Sequence, residues 1–138
     1  MPSLREQVRQ SANDCCEYCW LPQAFSALPH ELDHIRARKH HGPTSLENLC
    51  WACAYCNSAK GPNLSGYDPE TRKVAELFNP RTEIWAEHFG WNGAVLVAKT
   101  TTARATIEVL GINRPERVEH RRLLMLAGVF GVHGKTAL

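Results

Sequence analysis

The sequence has no long apolar run, no strong net charge and no internal repeat, and each absence narrows what the protein can be. No segment approaches the roughly 18–20 consecutive apolar residues that a membrane-spanning helix needs, so we expect no membrane partner. The N-terminal segment is polar and mixed in charge, which predicts a cytoplasmic protein without a secretory signal. The formal net charge of +2 does not by itself indicate nucleic-acid binding. Only the local placement of basic residues can do so.

The composition is that of a globular chain, with 43% hydrophobic and 22% charged residues. The length of 138 residues is within the range of one domain, and we predict a single domain over residues 1–138. Apolar periodicity, caps and turn signals predict an α+β fold. The predicted helices cover residues 3–13, 69–78, 102–110 and 115–130, another begins near residues 53–56 and ends before residue 61, and the predicted strands cover residues 30–35 and 94–98.

Six cysteines form two clusters, and each cluster contains a Cys-x2-Cys pair. Two such pairs separated by an intervening segment have the spacing of a structural zinc site. A reducing compartment also disfavours disulfide bonds, which are the alternative. We predict a tetrathiolate zinc site with these ligands: Cys16, Cys19, Cys53 and Cys56. Because four thiolates leave no open coordination position, this zinc is expected to be structural and not catalytic.

The cysteine spacing also permits other ligand choices. Cys50 and Cys53 form a second Cys-x2-Cys pair, and Cys15 competes with Cys16. We favour the pair that ends at Cys56, because that residue leads directly into a predicted helix which the zinc would anchor. Cys15 and Cys50 are then expected to be small buried apolar residues.

A second group of residues has the character of a hard metal site. Asp33 and Asn57 offer oxygen ligands, which suit Mg²⁺, Mn²⁺ or, with help from imidazole, Ni²⁺ and Zn²⁺. His34 is suited to be a general base that takes a proton from water attacking a phosphodiester. Asn48 can orient the imidazole through its side-chain or backbone carbonyl, on a short turn that we predict Thr44 to cap.

Strand geometry adds one expectation about this group. Neighbouring residues on a regular strand point to opposite faces, so Asp33 and His34 cannot both face one metal there. We therefore predict that the strand bends or ends at residues 33–35.

Three segments together resemble the HNH nuclease family. They are Glu-Leu-Asp-His-Ile at residues 31–35, Gly-Pro-Thr-Ser-Leu-Glu-Asn-Leu at 42–49, and Cys-Ala-Tyr-Cys-Asn-Ser-Ala-Lys-Gly at 53–61. With the Cys16 and Cys19 pair, the resemblance covers about half of the chain. The third letter of the motif is Asn here and not His, a variant common in the family. The segment from Phe78 to Arg117 is similar to the C-terminal extension of some bacterial and phage-type HNH proteins.

The resemblance implies a ββα-metal core over about residues 14–62, braced by structural zinc, with an N-terminal helix and a mainly helical C-terminal extension over about residues 63–138. It implies that His34 is the general base and Asn48 orients it. Asp33 and Asn57 would hold a divalent metal, which is Mg²⁺, Mn²⁺, Ni²⁺ or Zn²⁺. The implied function is that of an endonuclease hydrolysing DNA phosphodiester bonds.

Basic residues flank the implied site, and beside this motif we predict that they contact phosphates: Arg36, Arg38, Lys39 and Lys60. The arginines of the last predicted helix alternate with acidic residues, so ion pairs along the helix are equally compatible with the sequence there. The rival function is a zinc-stabilised nucleic-acid-binding module that has lost catalysis. Against it, all four catalytic-type positions hold competent residues.

Overall fold

The computed structural model describes residues 1–130, so the last eight residues of the predicted extension lie outside the described part. The fold is α+β, as predicted. Its helices are α1 (Leu4–Ser11), α2 (Ala54–Lys60), α3 (Trp85–His88), α4 (Thr101–Leu110) and α5 (Pro115–Leu126). Its strands are β1 (Glu31–His34), β2 (Leu49–Ala52), β3 (Ser65–Asp68), β4 (Lys73–Glu76), β5 (Phe89–Asn92) and β6 (Val95–Ala98). Within residues 1–130, no helix has the length and apolarity to cross a bilayer.

The central unit consists of β1, β2 and α2. The two strands pair antiparallel, with His34 opposite Leu49, and every residue of β2 is buried. α2 follows immediately, because the Sγ of Cys53 accepts a hydrogen bond from the backbone N–H of Cys56 at 3.4 Å and so caps the helix. It ends at Gly61, whose φ of +50° favours glycine. The predicted order of strand, loop, turn and helix lacked β2, which lies between the turn and α2 and which only the ββα resemblance implied.

The N-terminal helix forms as predicted and packs on β2. The Oγ of Ser3 accepts a hydrogen bond from the backbone N–H of Glu6 at 3.1 Å. Val8 and Ala12 are buried in a cluster with residues of β2. Apolar spacing predicts that Leu4 packs on the core with Val8 and Ala12, and this is wrong for Leu4, which is exposed at the start of the helix.

The predicted helix over residues 69–78 is wrong, because this segment belongs to the hairpin of β3 and β4. Asp68 holds the turn: its carboxylate accepts hydrogen bonds from the backbone N–H of Glu70 at 2.9 Å and from the hydroxyl of Thr71 at 2.8 Å. Such local bonds from an Asp side chain stabilise a turn in competition with a helix. The hairpin is then covered by α4, which packs against both strands.

The rest of the C-terminal segment follows the prediction more closely. β6 lies within the predicted strand over residues 94–98, and its partner β5 lies across a turn at Gly93. α4 matches its prediction closely, whereas α5 ends at Leu126, before residue 130. Leu96, Leu110 and Leu124 lie in one buried cluster with five of the cysteines, which are Cys16, Cys19, Cys50, Cys53 and Cys56. The assignment of the whole chain to one domain stays a prediction.

Candidate metal centre and active site

Four cysteine side chains form a buried cluster between the N-terminal loop and the start of α2. They are the four predicted ligands, Cys16, Cys19, Cys53 and Cys56, and their Sγ atoms all lie within 4.8 Å of one another. Tetrahedral Zn–S bonds of about 2.3 Å place neighbouring sulfurs about 3.8 Å apart. The Sγ atoms of Cys19 and Cys53 are 3.7 Å apart, so the cluster has the dimensions of a tetrathiolate site. It can hold a metal ion and is consistent with zinc.

The cysteine thiols of the cluster differ in pKa. Hydrogen bonds from the thiols of Cys16, Cys53 and Cys56 hold the pKa of Cys19 well below its usual range. Burial raises the pKa of Cys16 and of Cys56 well above that range. Hydrogen bonding within the cluster therefore favours the thiolate form at Cys19, and the thiolate is the form that binds metal.

The other two cysteines lie outside the cluster, as predicted. The Sγ of Cys50 donates at 3.5 Å to the hydroxyl of Tyr18 and at 3.5 Å to the carboxylate of Asp33. Burial, and then the charge of Asp33, raises the pKa of the Cys50 thiol well above its usual range, so it stays neutral. Cys15 is also buried, and its Sγ donates to the backbone carbonyl of Asn13 at 3.4 Å. The cluster therefore uses Cys53 with Cys56, and Cys16 with Cys19.

A second site is an open cleft of about 400 Å³ at the C-terminal end of β1. Asp33, His34 and Asn57 line it together, so three of the four predicted active-site residues lie at one cleft. Arg38 and Lys39, two of the predicted phosphate-binding residues, line the same cleft and are exposed. The other predicted residues of this site, Arg36, Asn48 and Lys60, do not line the cleft.

His34 is the last residue of β1, and the chain bends at the next residue, within the predicted irregularity. Its Nε2 lies 2.9 Å from the Oγ1 of Thr44. Thr44 therefore does not cap the turn over Leu46–Asn48, for which Ser45 is the N-cap residue and makes no side-chain hydrogen bond. Sequence reasoning missed this contact, because no local signal relates two residues that meet only through the path of the loop.

Asp33 is buried, and its carboxylate is bonded inside the protein. Its Oδ1 lies 3.1 Å from the Nζ of Lys60, and its Oδ2 accepts a hydrogen bond from the hydroxyl of Tyr18 at 2.8 Å. The same ammonium donates to the backbone carbonyl of His34 at 3.1 Å. These contacts join β1, the end of α2 and the segment between α1 and β1 that carries Cys16 and Cys19, which we call the cysteine loop.

The position of Lys60 corrects the prediction that it contacts phosphate, because the residue is only 1% exposed. Cys56 and Lys60 are four residues apart on α2, so both lie on the buried face of the helix. Because Cys56 faces the cysteine cluster, Lys60 one turn later also faces the interior and not the solvent.

Asn48 is buried, and its side chain binds the loop between β1 and β2. Its Oδ1 accepts from the backbone N–H of Arg36 at 2.9 Å, and its Nδ2 donates to the carbonyls of Arg36 at 3.0 Å and of Pro43 at 2.8 Å. Its own backbone carbonyl accepts from Ile35 at 2.8 Å. Both carbonyls of Asn48 therefore hold loop backbone and not the imidazole. An orienting role toward His34 stays a prediction and would act through this loop.

Arg36 lies at the start of the same loop and is exposed. Its Nη2 donates to the backbone carbonyl of His41 at 3.2 Å, which closes the loop on itself. Gly42 lies so close to the carbonyl of Arg36 that a Cβ there would overlap it. The loop thus has a defined path that keeps its basic residues beside the cleft.

Arg81 and Trp85 of the C-terminal segment form hydrogen bonds to the cysteine loop, and the sequence alone predicted no role for either residue. The guanidinium of Arg81 donates to both oxygens of the Glu17 carboxylate, at 2.8 and 2.7 Å, and to the carbonyl of Leu49 at 2.9 Å. The indole N–H of Trp85 donates to the carbonyl of Tyr18 at 3.0 Å. These contacts give a structural role to the extension motif that follows Phe78.

Comparison with known proteins agrees with this architecture. The family model of the HNH endonucleases matches residues 16–63, which contain the cysteine cluster, both strands of the central unit and α2. Residues 16–63 are therefore similar to the HNH endonuclease domain.

One curated relative is the Septu protein PtuB of Bacillus thuringiensis, which is 22% identical over 126 residues, or 90% of this chain and 46% of the relative. The chain thus spans about half the length of that relative. No solved structure matches the chain.

Proposed function

We propose that the protein is a metal-dependent endonuclease that hydrolyses phosphodiester bonds of DNA. The observation that carries this proposal is the cleft where Asp33, His34 and Asn57 meet beside the exposed Arg38 and Lys39. An imidazole, two hard oxygen donors and a cationic rim supply the general base, the metal ligands and the phosphate contacts that such hydrolysis needs.

His34 would act as the general base. With Nε2 beside Thr44, the Nδ1 of His34 has no hydrogen-bond partner within the described chain and is left to accept the proton of the attacking water. Asn48 would fix the path of the loop between β1 and β2, and the loop would in turn hold the imidazole and the basic residues in place at the cleft.

Asp33 and Asn57 would hold the divalent metal, which stabilises negative charge on phosphate oxygens when bound. An ionised carboxylate can accept about four hydrogen bonds, so the contacts of Asp33 with Lys60, Tyr18 and Cys50 still leave it about one position for a metal. Hard oxygen donors suit Mg²⁺ or Mn²⁺, and the neighbouring imidazole extends the range to Ni²⁺ and Zn²⁺.

The cysteine cluster would hold zinc as a structural ion. Because Asn57 follows Cys56 directly, loss of this zinc would misplace a ligand of the catalytic metal as well as loosen the fold. Metal analysis should find one zinc per chain, lost in Cys56→Ser and retained in Cys50→Ser. Equal loss in both variants would contradict the ligand set.

The deciding experiment is cleavage of supercoiled plasmid by the purified chain with Mg²⁺, Mn²⁺, Ni²⁺ or Zn²⁺. The wild type should nick or linearise the DNA, His34→Ala should not, and the exposed loop variant His40→Ala should retain activity. Undiminished cleavage by His34→Ala would contradict the mechanism.

The alternative is a nucleic-acid-binding module without catalysis, and the buried pair of Asp33 with Lys60 is the observation that favours it. DNA binding without cleavage under any of the four metals would support this alternative.

A further inference from the structure

Arg117 on α5 lies directly against the cysteine cluster. Its Nη2 is 3.0 Å from the Sγ of Cys56 and 3.9 Å from the Sγ of Cys53. Its Nη1 donates to the carbonyl of Leu110 at 2.6 Å. Arg117 lies far outside residues 16–63, the part that matches the HNH family, so this contact comes from the C-terminal segment.

The charge of a tetrathiolate site gives this contact a purpose. Four thiolates around one Zn²⁺ leave two negative charges uncompensated, and here all four sulfurs are buried. Buried charge is unfavourable unless it is paired or hydrogen-bonded. Within residues 1–130, Arg117 is the cationic side chain that donates to a cluster sulfur. The nearby Arg121 donates to the carbonyl of Ala94 and to the side chain of Asn113.

We propose that Arg117 is an outer-sphere partner of the metal in the cysteine cluster, and that α5 is thereby part of the metal centre. The guanidinium compensates thiolate charge and holds Cys56 in its coordinating position. This inference rests on the proposed zinc in the cluster, but it is independent of nuclease activity. For the arginines of this helix, the sequence was equally compatible with phosphate binding and with ion pairs along the helix, and the proposed role of Arg117 is neither of these.

The shape of the side chain explains why the position holds arginine. The planar guanidinium donates at the same time to the Cys56 sulfur and to the carbonyl of Leu110, the last residue of α4, whose carbonyl has no partner within its own helix. It also lies over the ring of Tyr55, 5.8 Å from its centroid. A lysine would keep the charge without this double contact.

The test is zinc release from the purified, zinc-loaded chain into a chelator with a chromogenic readout. Loss of an outer-sphere partner typically weakens metal affinity by about 10–100-fold, and we expect a loss in this range for Arg117→Met. Arg117→Lys should fall between this variant and the wild type. The control on the same helix is Arg122→Met, whose guanidinium pairs with the exposed Glu119, and it should release zinc as the wild type does.

A second variant separates contact with the cluster from general packing of α5. Leu124 is buried on α5 about two turns after Arg117, so Leu124→Ala loosens the packing of the helix without removing the guanidinium. In cobalt-substituted protein, Arg117→Met should shift the sulfur-to-cobalt charge-transfer band, because the hydrogen bond to Cys56 is lost, and Leu124→Ala should not.

Unchanged zinc release and an unshifted cobalt band in Arg117→Met would overturn the outer-sphere role. Equal effects of Leu124→Ala on both readouts would also overturn it, since the arginine would then act only through helix packing. A wild-type chain that binds neither metal would overturn both this inference and the proposed zinc site. Nuclease activity enters none of these outcomes.

Discussion

Lys60 and Asp33 form an ion pair with a nitrogen–oxygen distance of 3.1 Å, and their side chains are only 2% and 5% exposed. The lysine is on α2 and the aspartate on β1, so the pair fastens the helix to the strand beneath the cleft. A buried ion pair contributes little net stability by itself, but removing one partner leaves a buried charge without compensation.

We therefore expect Lys60→Met to lower the free energy of unfolding by about 3–5 kcal/mol, which urea denaturation would measure. Lys39→Met is the matched control, because Lys39 is exposed at the same cleft and its loss should change stability by less than about 0.5 kcal/mol. If the two variants unfolded at the same urea concentration, Lys60 would not be the buried partner of Asp33.

The loop that carries the basic residues depends on Asn48. Its side chain makes three hydrogen bonds to the backbone of Arg36 and Pro43, and Asn48→Ala removes all of them. We expect a loss of about 1–3 kcal/mol in the free energy of unfolding, because backbone groups are left without partners. Limited trypsin digestion should also cut faster after Arg38 and Lys39.

The exposed Asn63, whose side chain makes no hydrogen bond within the described chain, supplies the control. Asn63→Ala should change neither stability nor the cleavage pattern. Equal trypsin sensitivity in Asn48→Ala and the wild type would mean that the loop keeps its path without the amide.

The cysteine cluster and α2 could be predicted because their signals are local. Cys-x2-Cys spacing brings two sulfurs together within one turn, and Cys53 with Gly61 marks both ends of the helix. The end of β1 at His34 followed from strand alternation. These features need no knowledge of the distant chain.

The contacts beneath the cleft could not be predicted, because they depend on how separate elements meet. The partner of Lys60 is set by the docking of α2 on β1, and that of Thr44 by the path of the loop. At Asp68, a helix start and a hairpin turn share the same local signal. Packing of α4 on β3 and β4 stabilises the hairpin there.

The Asp68 carboxylate makes stability depend on pH. The Arg104 guanidinium, with help from Thr71, holds the pKa of Asp68 well below its usual range. In the unfolded chain the pKa of this carboxyl is about 3.9. Its stabilising effect is therefore present above that pH and is lost as the pH falls toward the lower pKa of the folded state. Urea denaturation should show falling stability from about pH 5 to pH 2, with a smaller fall in Asp68→Asn.

Glu70 provides the comparison for Asp68, since its carboxylate is 3.3 Å from the same arginine but its side chain is 71% exposed. Glu70→Gln should retain the pH dependence of the wild type, because solvent screens an exposed pair. A pH dependence unchanged in Asp68→Asn would show that other carboxylates cause the acid sensitivity.

Thr44 tests the active-site geometry directly. Its Oγ1 lies 2.9 Å from the Nε2 of His34, so in the proposed mechanism the hydroxyl orients the imidazole and leaves Nδ1 for the attacking water. Thr44→Val keeps the shape of the side chain but removes the hydrogen bond, whose net free energy of about 0.5–1.5 kcal/mol corresponds to a loss of about two- to tenfold in cleavage rate. Thr44→Ser restores the hydroxyl and should recover the rate. Plasmid cleavage at saturating metal, followed across pH, measures both variants. Equal rates for Thr44→Val and the wild type at every pH would mean that another group orients the imidazole. If Thr44→Ser lost as much activity as Thr44→Val, the loop would require the methyl group of Thr44 and not its hydroxyl.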